Sequence, residues 1–294
     1  ICFKMKIPQL KKKPEIKTCH NIKWEDNYSW IHQKNILEVL KDGKKLLPEV
    51  KDYLESENKY TEHYLKNTEK FQKKLFDEIK GRIKLADESL PYKDKLYEYW
   101  SKTAAKGNYS IKLRKKIDSN KVEEIWNGDN EKEKLKCEYF GVGDLEVSYN
   151  DKYLGYSLDL KGSEYYTIYI REISSNKIIT DIIENTSGSI TFSLDDQYIF
   201  YSKLDNFHRP RKIFRHKVGE STNKDELIFE EKSESFTVNI SLGSDEKYFF
   251  ITTSDHNTSE QYFFLADEKK PNPKLIKKRK RGIIYSVNSW NNYF

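Results

Sequence analysis

Short Tyr/Ile/Phe/Val runs recur along most of this 294-residue sequence, on a repeat of 45 to 50 residues, and a stretch of helical periodicity precedes them. Together these predict a mainly β chain: an incomplete β-propeller of about four to five blades, preceded by an N-terminal α-helical arm. At 36% hydrophobic and 14% aromatic residues, the chain has the apolar surface to bury a core despite being 34% charged.

The first 20 residues are basic and irregular, with Pro8 and Pro14 on either side of a lysine run at 11–13. Proline fixes φ and removes a donor, so an extended segment is expected there rather than a helix. From residue 31 to 82 the apolar period is helical: Ile36, Leu37 and Leu40, then Val50, Tyr53 and Leu54, then Tyr64, Leu65, Phe71, Leu75, Phe76 and Ile79. Spacings of three and four put these on one face, expected to be buried. Pro48 followed by Glu49 suits a first helical turn, where a missing N–H costs nothing and a carboxylate meets the positive end of the dipole. Gly81 suits a C-terminal stop. The expected division is therefore an extended and helical arm over 1–81 and a partial propeller over 82–294.

After Gly81 the period becomes two, as in LYEYWSK (96–102), YSIKLRKK (109–116), YYTIYIREI (165–173) and YFFITTS (248–254). One pattern recurs as SYNDKYLGYS (148–157), SLDDQYIFYS (193–202) and SDEKYFFITT (244–253), with WNNYF (290–294) as a shortened fourth copy. Its anchoring residues Tyr153, Tyr198, Tyr248 and Tyr293 lie 45, 50 and 45 positions apart. Paired Asn/Asp favour a turn through side-chain bonds to the backbone, and the Tyr with its neighbours supplies the strand. These carboxylates are read as turn residues rather than metal ligands. On this reading Phe294 falls inside an unfinished blade with an open sheet edge.

Fifty-three basic residues face 47 acidic ones, and the +6 excess reads as spread over a mixed-sign surface, not gathered in the stripe that a nucleic-acid binder presents. The KKRKR run at 277–281 falls between two copies of the repeat, with no stacking aromatics interleaved. It reads as an exposed connection. Cys2, Cys19 and Cys137 are far apart, with no CxxC spacing and no paired histidines. Neither a zinc site nor a disulfide framework is expected, no cofactor is implied, and a cytoplasmic setting follows. No apolar run approaches the roughly 18 residues of a membrane span, and the opening ICFKMK lacks the apolar stretch of a signal peptide. The sequence begins at Ile1, so either Met5 is the start or upstream sequence is missing.

DNYSWI (26–31) is similar to the Asp-x-Tyr-x-Trp-Leu entry motif of the prolyl oligopeptidase family, and PEVKDYLESENKY (48–60) to its Pro-Glu-Val-x-x-Tyr-Leu-x-x-Glu-Asn-x-Tyr helix. KGSEYYTIYIR (161–171), LDNFHRPRKIFRH (204–216), ELIFEEK (226–232) and SDHNTSE (254–260) follow in the order shown by the oligopeptidase B (protease II) branch. The resemblance runs from Asp26 almost to the end. It implies a helical arm that packs on an α/β-hydrolase domain and a seven-bladed propeller that caps the active site and admits short peptides. The family's hydrolase acts on short peptides after Arg or Lys and would follow the propeller with a Gly-x-Ser-x-Gly elbow, then Asp and His. This sequence contains no Gly-x-Ser-x-Gly. A serine without a positioned base and an oxyanion hole is a weak nucleophile, so this chain alone is expected to be inactive.

The expected role is therefore the substrate-gating front of such a peptidase. Its partners would be the hydrolase domain, or a separate chain carrying it, and short peptides. A free-standing propeller used as an interaction scaffold, or a remnant of a split gene, is the alternative. His208 and Arg209 in NFHRPRK, with Arg215 and His216 close behind, are the candidate domain-interface or gating residues, a cationic loop with guanidinium forks. Asp255 and His256 are read as a turn, not an acid/base pair, and Glu164, Tyr165 and Tyr166 as packing.

Overall fold

The computed structural model describes residues 5–291 and 293–294, apart from the side chains of 180 and 181. Cys2 and the Asn292 of the fourth repeat copy lie outside the described residues. The chain divides into two compact units, Ile1–Val122 and Glu123–Phe294.

The first unit starts with a hairpin where only an extended segment is expected: β1 (Glu15–Cys19) pairs with β2 (Ile22–Asp26) in antiparallel register. His20 and Asn21 between them both have positive φ, the two-residue turn whose twist matches the flanking strands. His-Asn is a far weaker turn signal than Asn-Gly, so the hairpin did not stand out. Helices α1 (Ile36–Lys41), α2 (Pro48–Leu65) and α3 (Glu69–Gly81) follow, with Pro48 in the first turn of α2 and Gly81 as the last residue of α3. The helical stripe is only partly buried. Val50 is 3% exposed, whereas Tyr64, Phe71, Phe76 and Ile79 are each more than half exposed. The period of three and four made the stripe, but among the described residues of this unit it stays largely exposed. A small sheet closes the unit: β3 (Asp87–Glu88) and β4 (Tyr92–Asp94) both pair with β5 (Tyr97–Thr103), which pairs with β6 (Ser110–Lys116). Trp100, Ile111 and Leu113 form its core.

β7 (Val122–Asn127) leads into the second unit and a helix that the strand-and-turn reading missed, α4 (Gly128–Leu135). Its signals are polar: the Asn127 side chain accepts from the Asn130 N–H, Asp129 and Glu131 sit in the first turn, and Lys136 ends it in the left-handed region. With almost no apolar residue, α4 shows no helical period.

Seven antiparallel strands then pair in chain order: β8 (Gly141–Val147), β9 (Tyr153–Asp159), β10 (Tyr166–Glu172), β11 (Lys177–Phe192), β12 (Tyr198–Leu204), β13 (Pro210–Lys217) and β14 (Glu226–Glu230). The 16-residue β11 serves two blades. Residues 177–186 pair with β10, and residues 186–192 pair with β12. A further blade is the meander β15 (Thr237–Leu242), β16 (Tyr248–Ser254), β17 (Ser259–Leu265) and β18 (Lys274–Lys277). This unit thus holds three four-stranded blades: β8 to the first half of β11, the second half of β11 to β14, and β15 to β18.

Because blades stack face to face, a middle strand is buried on both sides and reads as a continuous apolar run. In β12, Ile199 and Tyr201 enter the cluster with Ile168, Ile170, Ile183, Ile190 and Phe192, while Phe200 points the other way, into the cluster with Ile213, Val238, Ile240, Phe249, Ile251 and Phe264. The period of two divides YIFY between two interfaces.

The repeat marks one place in each blade. Tyr153, Tyr198 and Tyr248 are the first residues of β9, β12 and β16. Before each comes the same turn, in which Ser148, Ser193 or Gly243 donates its N–H to the tyrosine carbonyl at 2.8–2.9 Å. The third turn residue, Asp151, Asp196 or Glu246, has φ of 58–59°. Ser148 and Ser193 also offer Oγ to the tyrosine N–H at 2.9 Å. Neighbouring turns bind one another: Asp196 accepts from Ser148 Oγ at 2.7 Å and from the Asn150 N–H at 3.1 Å, and Tyr149 OH donates to Glu246 at 2.6 Å. In the third copy Ser289 Oγ occupies the space beside Gly243, so a Cβ there would sit 2.6 Å from it and 2.9 Å from the Phe250 ring. Gly243→Ser restores the residue of the other two copies, yet it is expected to destabilise by about 1–3 kcal/mol through overpacking. Urea unfolding would show this as a lowered midpoint, partly recovered by adding Ser289→Gly. An unchanged midpoint would contradict the close approach.

Candidate functional site

The four cationic candidates lie along β13 and the loop before it, and they do not form one loop. His208 and Arg209 precede the strand, whereas Arg215 and His216 are near its far end. At roughly 3.3 Å per residue that is about 20 Å away, and successive side chains of a strand point to opposite faces. Sequence proximity made a cluster that strand geometry takes apart.

Each of the four is held locally. His208, with φ of 62°, places Nε2 3.1 Å from the Ser163 carbonyl and its ring edge-on to Tyr165 at 4.4 Å. This fastens the β12–β13 loop to the β9–β10 loop of the preceding blade. Arg209 is exposed, and its guanidinium donates to the Glu234 carbonyl. Asp205 organises this loop, accepting from the Phe207 N–H at 2.8 Å, the Arg209 N–H at 3.0 Å and Arg211 Nε at 2.6 Å. Partial burial pushes its carboxyl up, but those donors outweigh it and leave the pKa below the usual value. His216 is fully buried, with Nδ1 2.6 Å from Asp225, whose other oxygen accepts from Tyr201 OH at 2.7 Å. Burial first, then the Asp225 carboxylate, drives the Tyr201 phenol well above its ordinary value. Arg215, 5% exposed, lies over the Tyr198 ring at 4.4 Å and donates to Glu226 at 2.6 Å and to the Lys269 carbonyl at 2.9 Å.

The residues read as structural behave so. Asp255 caps the backbone N–H groups of Asn257 (2.9 Å) and Thr258 (2.7 Å), while His256 is exposed. The Tyr166 ring packs against Gly143 and Gly188, where added Cβ atoms would lie 2.7 and 2.9 Å from it.

Two buried ion clusters carry more weight than any of these, and sequence reading passed over both. In the first, Arg171 is 5% exposed, donates to Glu131 of α4 at 2.9 Å and to the Ile125 carbonyl at 3.3 Å, and lies by the Trp126 and Tyr156 rings at 5.5 and 5.1 Å. In the second, Glu231 is 3% exposed and accepts Arg279 through both oxygens at 2.9 and 3.0 Å, together with Thr253 Oγ1 at 2.6 Å and the Ser233 N–H at 2.7 Å. Glu260, 4% exposed, takes the Arg279 N–H at 2.7 Å and Tyr262 OH at 2.6 Å. Burial raises the pKa of Glu231, but Arg279, Thr253 and Ser233 together hold it below the ordinary carboxylate value. Arg279 is the middle residue of the KKRKR run, so that run is not wholly a solvated connection. With its acceptor sites filled by protein donors, Glu231 has no free capacity to act as a base. These clusters tie β10 to β7 and α4, and the segment after β18 to β17 and the residue after β14.

Among the described residues no three His, Cys, Asp or Glu side chains come together as a metal site, and no helix is long and apolar enough to cross a membrane.

Comparison with known proteins agrees with the blade architecture. Protease 2 of Moraxella lacunata is 28% identical over 293 residues, 97% of this chain and 41% of that protein. Dipeptidyl aminopeptidase BI of Pseudoxanthomonas mexicana is 27% identical over 269 residues, 86% of this chain and 36% of that protein. The structure of oligopeptidase B from Leishmania major superposes with a TM-score of 0.84 at 21% identity, over 96% of this chain and 41% of that one. At that identity the likeness establishes the fold. The chain spans about two fifths of the length of the relatives it matches. Residues 8–294 match the family described as prolyl oligopeptidase, N-terminal beta-propeller domain, and the chain belongs to that family.

Proposed function

We propose that this chain is the substrate-gating propeller portion of an oligopeptidase B-like serine peptidase, and that the Ser, Asp and His of catalysis belong to a hydrolase portion outside these 294 residues. The observation that carries this reading is the family match over residues 8–294, set beside relatives more than twice as long. The exposed α3 stripe of Phe71, Phe76 and Ile79 supports it, since an exposed apolar helix face suits docking against another part of the enzyme. Arg209, the exposed member of the cationic candidates, is the one we assign to an interface or gating role. The arm over 1–81 and the propeller over 82–294 are the proposed functional divisions. A cytoplasmic setting is proposed on the unpaired thiols of Cys19 and Cys137.

The chain alone is expected to leave a short fluorogenic Arg or Lys peptide intact. Hydrolysis that a serine-reactive inhibitor stops would place a nucleophile in this chain and overturn the assignment. Joined to the rest of Protease 2 beyond the matched 41%, it is expected to permit cleavage of the short peptide and to spare an unfolded protein substrate. Equal cleavage of both would sink the gating role.

A further inference from the structure

The hairpin of β1 and β2 is a two-stranded sheet of its own. Two strands alone are marginal in water, and a third strand or a packed face is what stabilises them. Among the described residues no third strand joins this pair, and Ile16, Ile22 and Trp24 are 64%, 67% and 46% exposed. Its two edges differ. Cys19 and Ile22 close the two-residue turn, so they are a hydrogen-bonded pair, and such pairs alternate along an antiparallel ladder. Glu15, Lys17 and Cys19 therefore turn their backbone groups toward β2, which leaves those of Ile16 and Thr18 on the outer edge of β1. On β2 the outward backbone groups belong to Lys23 and Glu25, with Trp24 between them. The charges of β1 are engaged locally: Glu15 pairs with Lys17 at 2.9 Å and accepts from Ser29 Oγ at 2.6 Å. Lys23 and Glu25 are exposed and form no ion pair among the described residues.

Reversed about Trp24, the strand IKWED places Lys23 opposite Glu25 and Glu25 opposite Lys23. These are the positions whose N–H and C=O groups face outward, so each such pair exchanges two hydrogen bonds. Trp24 then meets its own copy as the non-hydrogen-bonded pair, with Cα atoms about 4.5 Å apart. Opposite charges and aromatic pairs are favourable cross-strand combinations. Charged residues on an edge strand ordinarily discourage pairing, but the order of these two makes the edge complementary to itself. We propose that β2 is a self-association edge: two copies of this chain join β2 to β2 about a two-fold axis, giving a four-stranded sheet centred on the Trp24 pair. Two five-residue strands bury far less than the roughly 1,200–2,000 Å² of a stable interface, so the dimer is weak and reversible. The surface rests on these residues alone and stands whether or not the peptidase reading holds.

Sedimentation velocity of the chain between about 1 and 100 µM tests the assignment. A monomer–dimer equilibrium is expected, shifted toward monomer by added salt. Within the hairpin Lys23 and Glu25 face Thr18 and Ile16, so reversing either charge breaks no pair there. Lys23→Glu and Glu25→Lys each set like charges opposite one another twice, and each should weaken association about tenfold or more with an unaltered circular dichroism spectrum. The two changes combined in one chain should restore the dimer. So should an equimolar mixture of the two single variants, in which every Lys–Glu position is again of opposite sign; this mixture keeps the test independent of how either change affects the hairpin by itself. Phe76→Glu on the exposed α3 stripe should leave the dimer intact. The proposal is overturned if the parent chain stays monomeric at the highest concentration, if a single charge reversal associates like the parent, if the mixture remains monomeric, or if Phe76→Glu abolishes the dimer.

Discussion

Arg279→Met is expected to destabilise the third blade of the Glu123–Phe294 unit by about 3 kcal/mol, the low end of the range for removing one member of a buried ion pair. The low end applies because the Arg279 side chain keeps 28% exposure, whereas Glu231 and Glu260 keep 3% and 6%. Removing the guanidinium leaves two carboxylates in a dry site. It also frees the segment after β18, which otherwise lies against β17 through Gly282 N–H to Thr258 Oγ1 (3.1 Å), Ser259 N–H to the Ile283 carbonyl (3.1 Å) and Tyr285 N–H to Ser259 Oγ (2.7 Å). Amide hydrogen exchange should therefore quicken first at residues 279–285 and β17, ahead of global unfolding. Pairing the change with Glu231→Gln should recover part of the loss, since the amide carries no charge into the site.

The same cluster sets a pH dependence with a definite sign. Glu231 has a pKa lower in the folded chain than in the unfolded one, so its contribution to stability is fully present above the ordinary carboxylate value and is lost as pH falls through the folded value. The parent chain should lose protection at residues 279–285 as the medium is acidified below about pH 4. In Arg279→Met that pH dependence should shrink. A variant whose protection at neutral pH and whose acid profile both match the parent would show that the cluster is not what holds this segment.

How far each of these features could be read from residues alone follows from the distance over which its cause acts. Tyr198 and its turn are local: Ser193 and Asp195 make their bonds within five positions of the tyrosine, and the pattern repeats. Ile199, Phe200 and Tyr201 are readable as strand, but which face meets which blade depends on partners such as Phe249, about 50 positions away. Arg279 looked like one cation among five because Glu231, its partner, lies 48 positions upstream and is itself one of the two carboxylates in FEEK. Arg171 was hidden likewise, its partner Glu131 lying on a helix without an apolar period. The four cationic candidates part for the opposite reason: neighbours in sequence are not neighbours in space where a strand carries Arg215 and His216 away from His208 and Arg209.

Arg171→Met should have the other large effect, about 3 kcal/mol, and it separates charge from shape. The guanidinium does three things at once: it pairs with Glu131, whose side chain is 14% exposed, satisfies the Ile125 carbonyl, and packs by Trp126 and Tyr156. Methionine fills some of the volume but strands the carboxylate and the carbonyl. Arg171→Lys keeps the charge yet has no planar fork to meet a carboxylate and a carbonyl together while packing along two rings, so it should recover only about half of the loss. Burial pushes Glu131 up while Arg171 and Lys134 draw it below its ordinary value, so without Arg171 the carboxyl should titrate at higher pH and the acid limb of stability should move upward with it. Trp126 reports on the same site, since its ring lies 5.0 Å from Tyr156, and its near-ultraviolet circular dichroism should change in both variants. If Arg171→Lys unfolds at the same urea concentration as the parent chain, charge alone suffices and the stacked geometry contributes nothing. If Arg171→Met does so too, the cluster is a packed ornament, and blade order there rests on the Trp126 and Tyr156 rings.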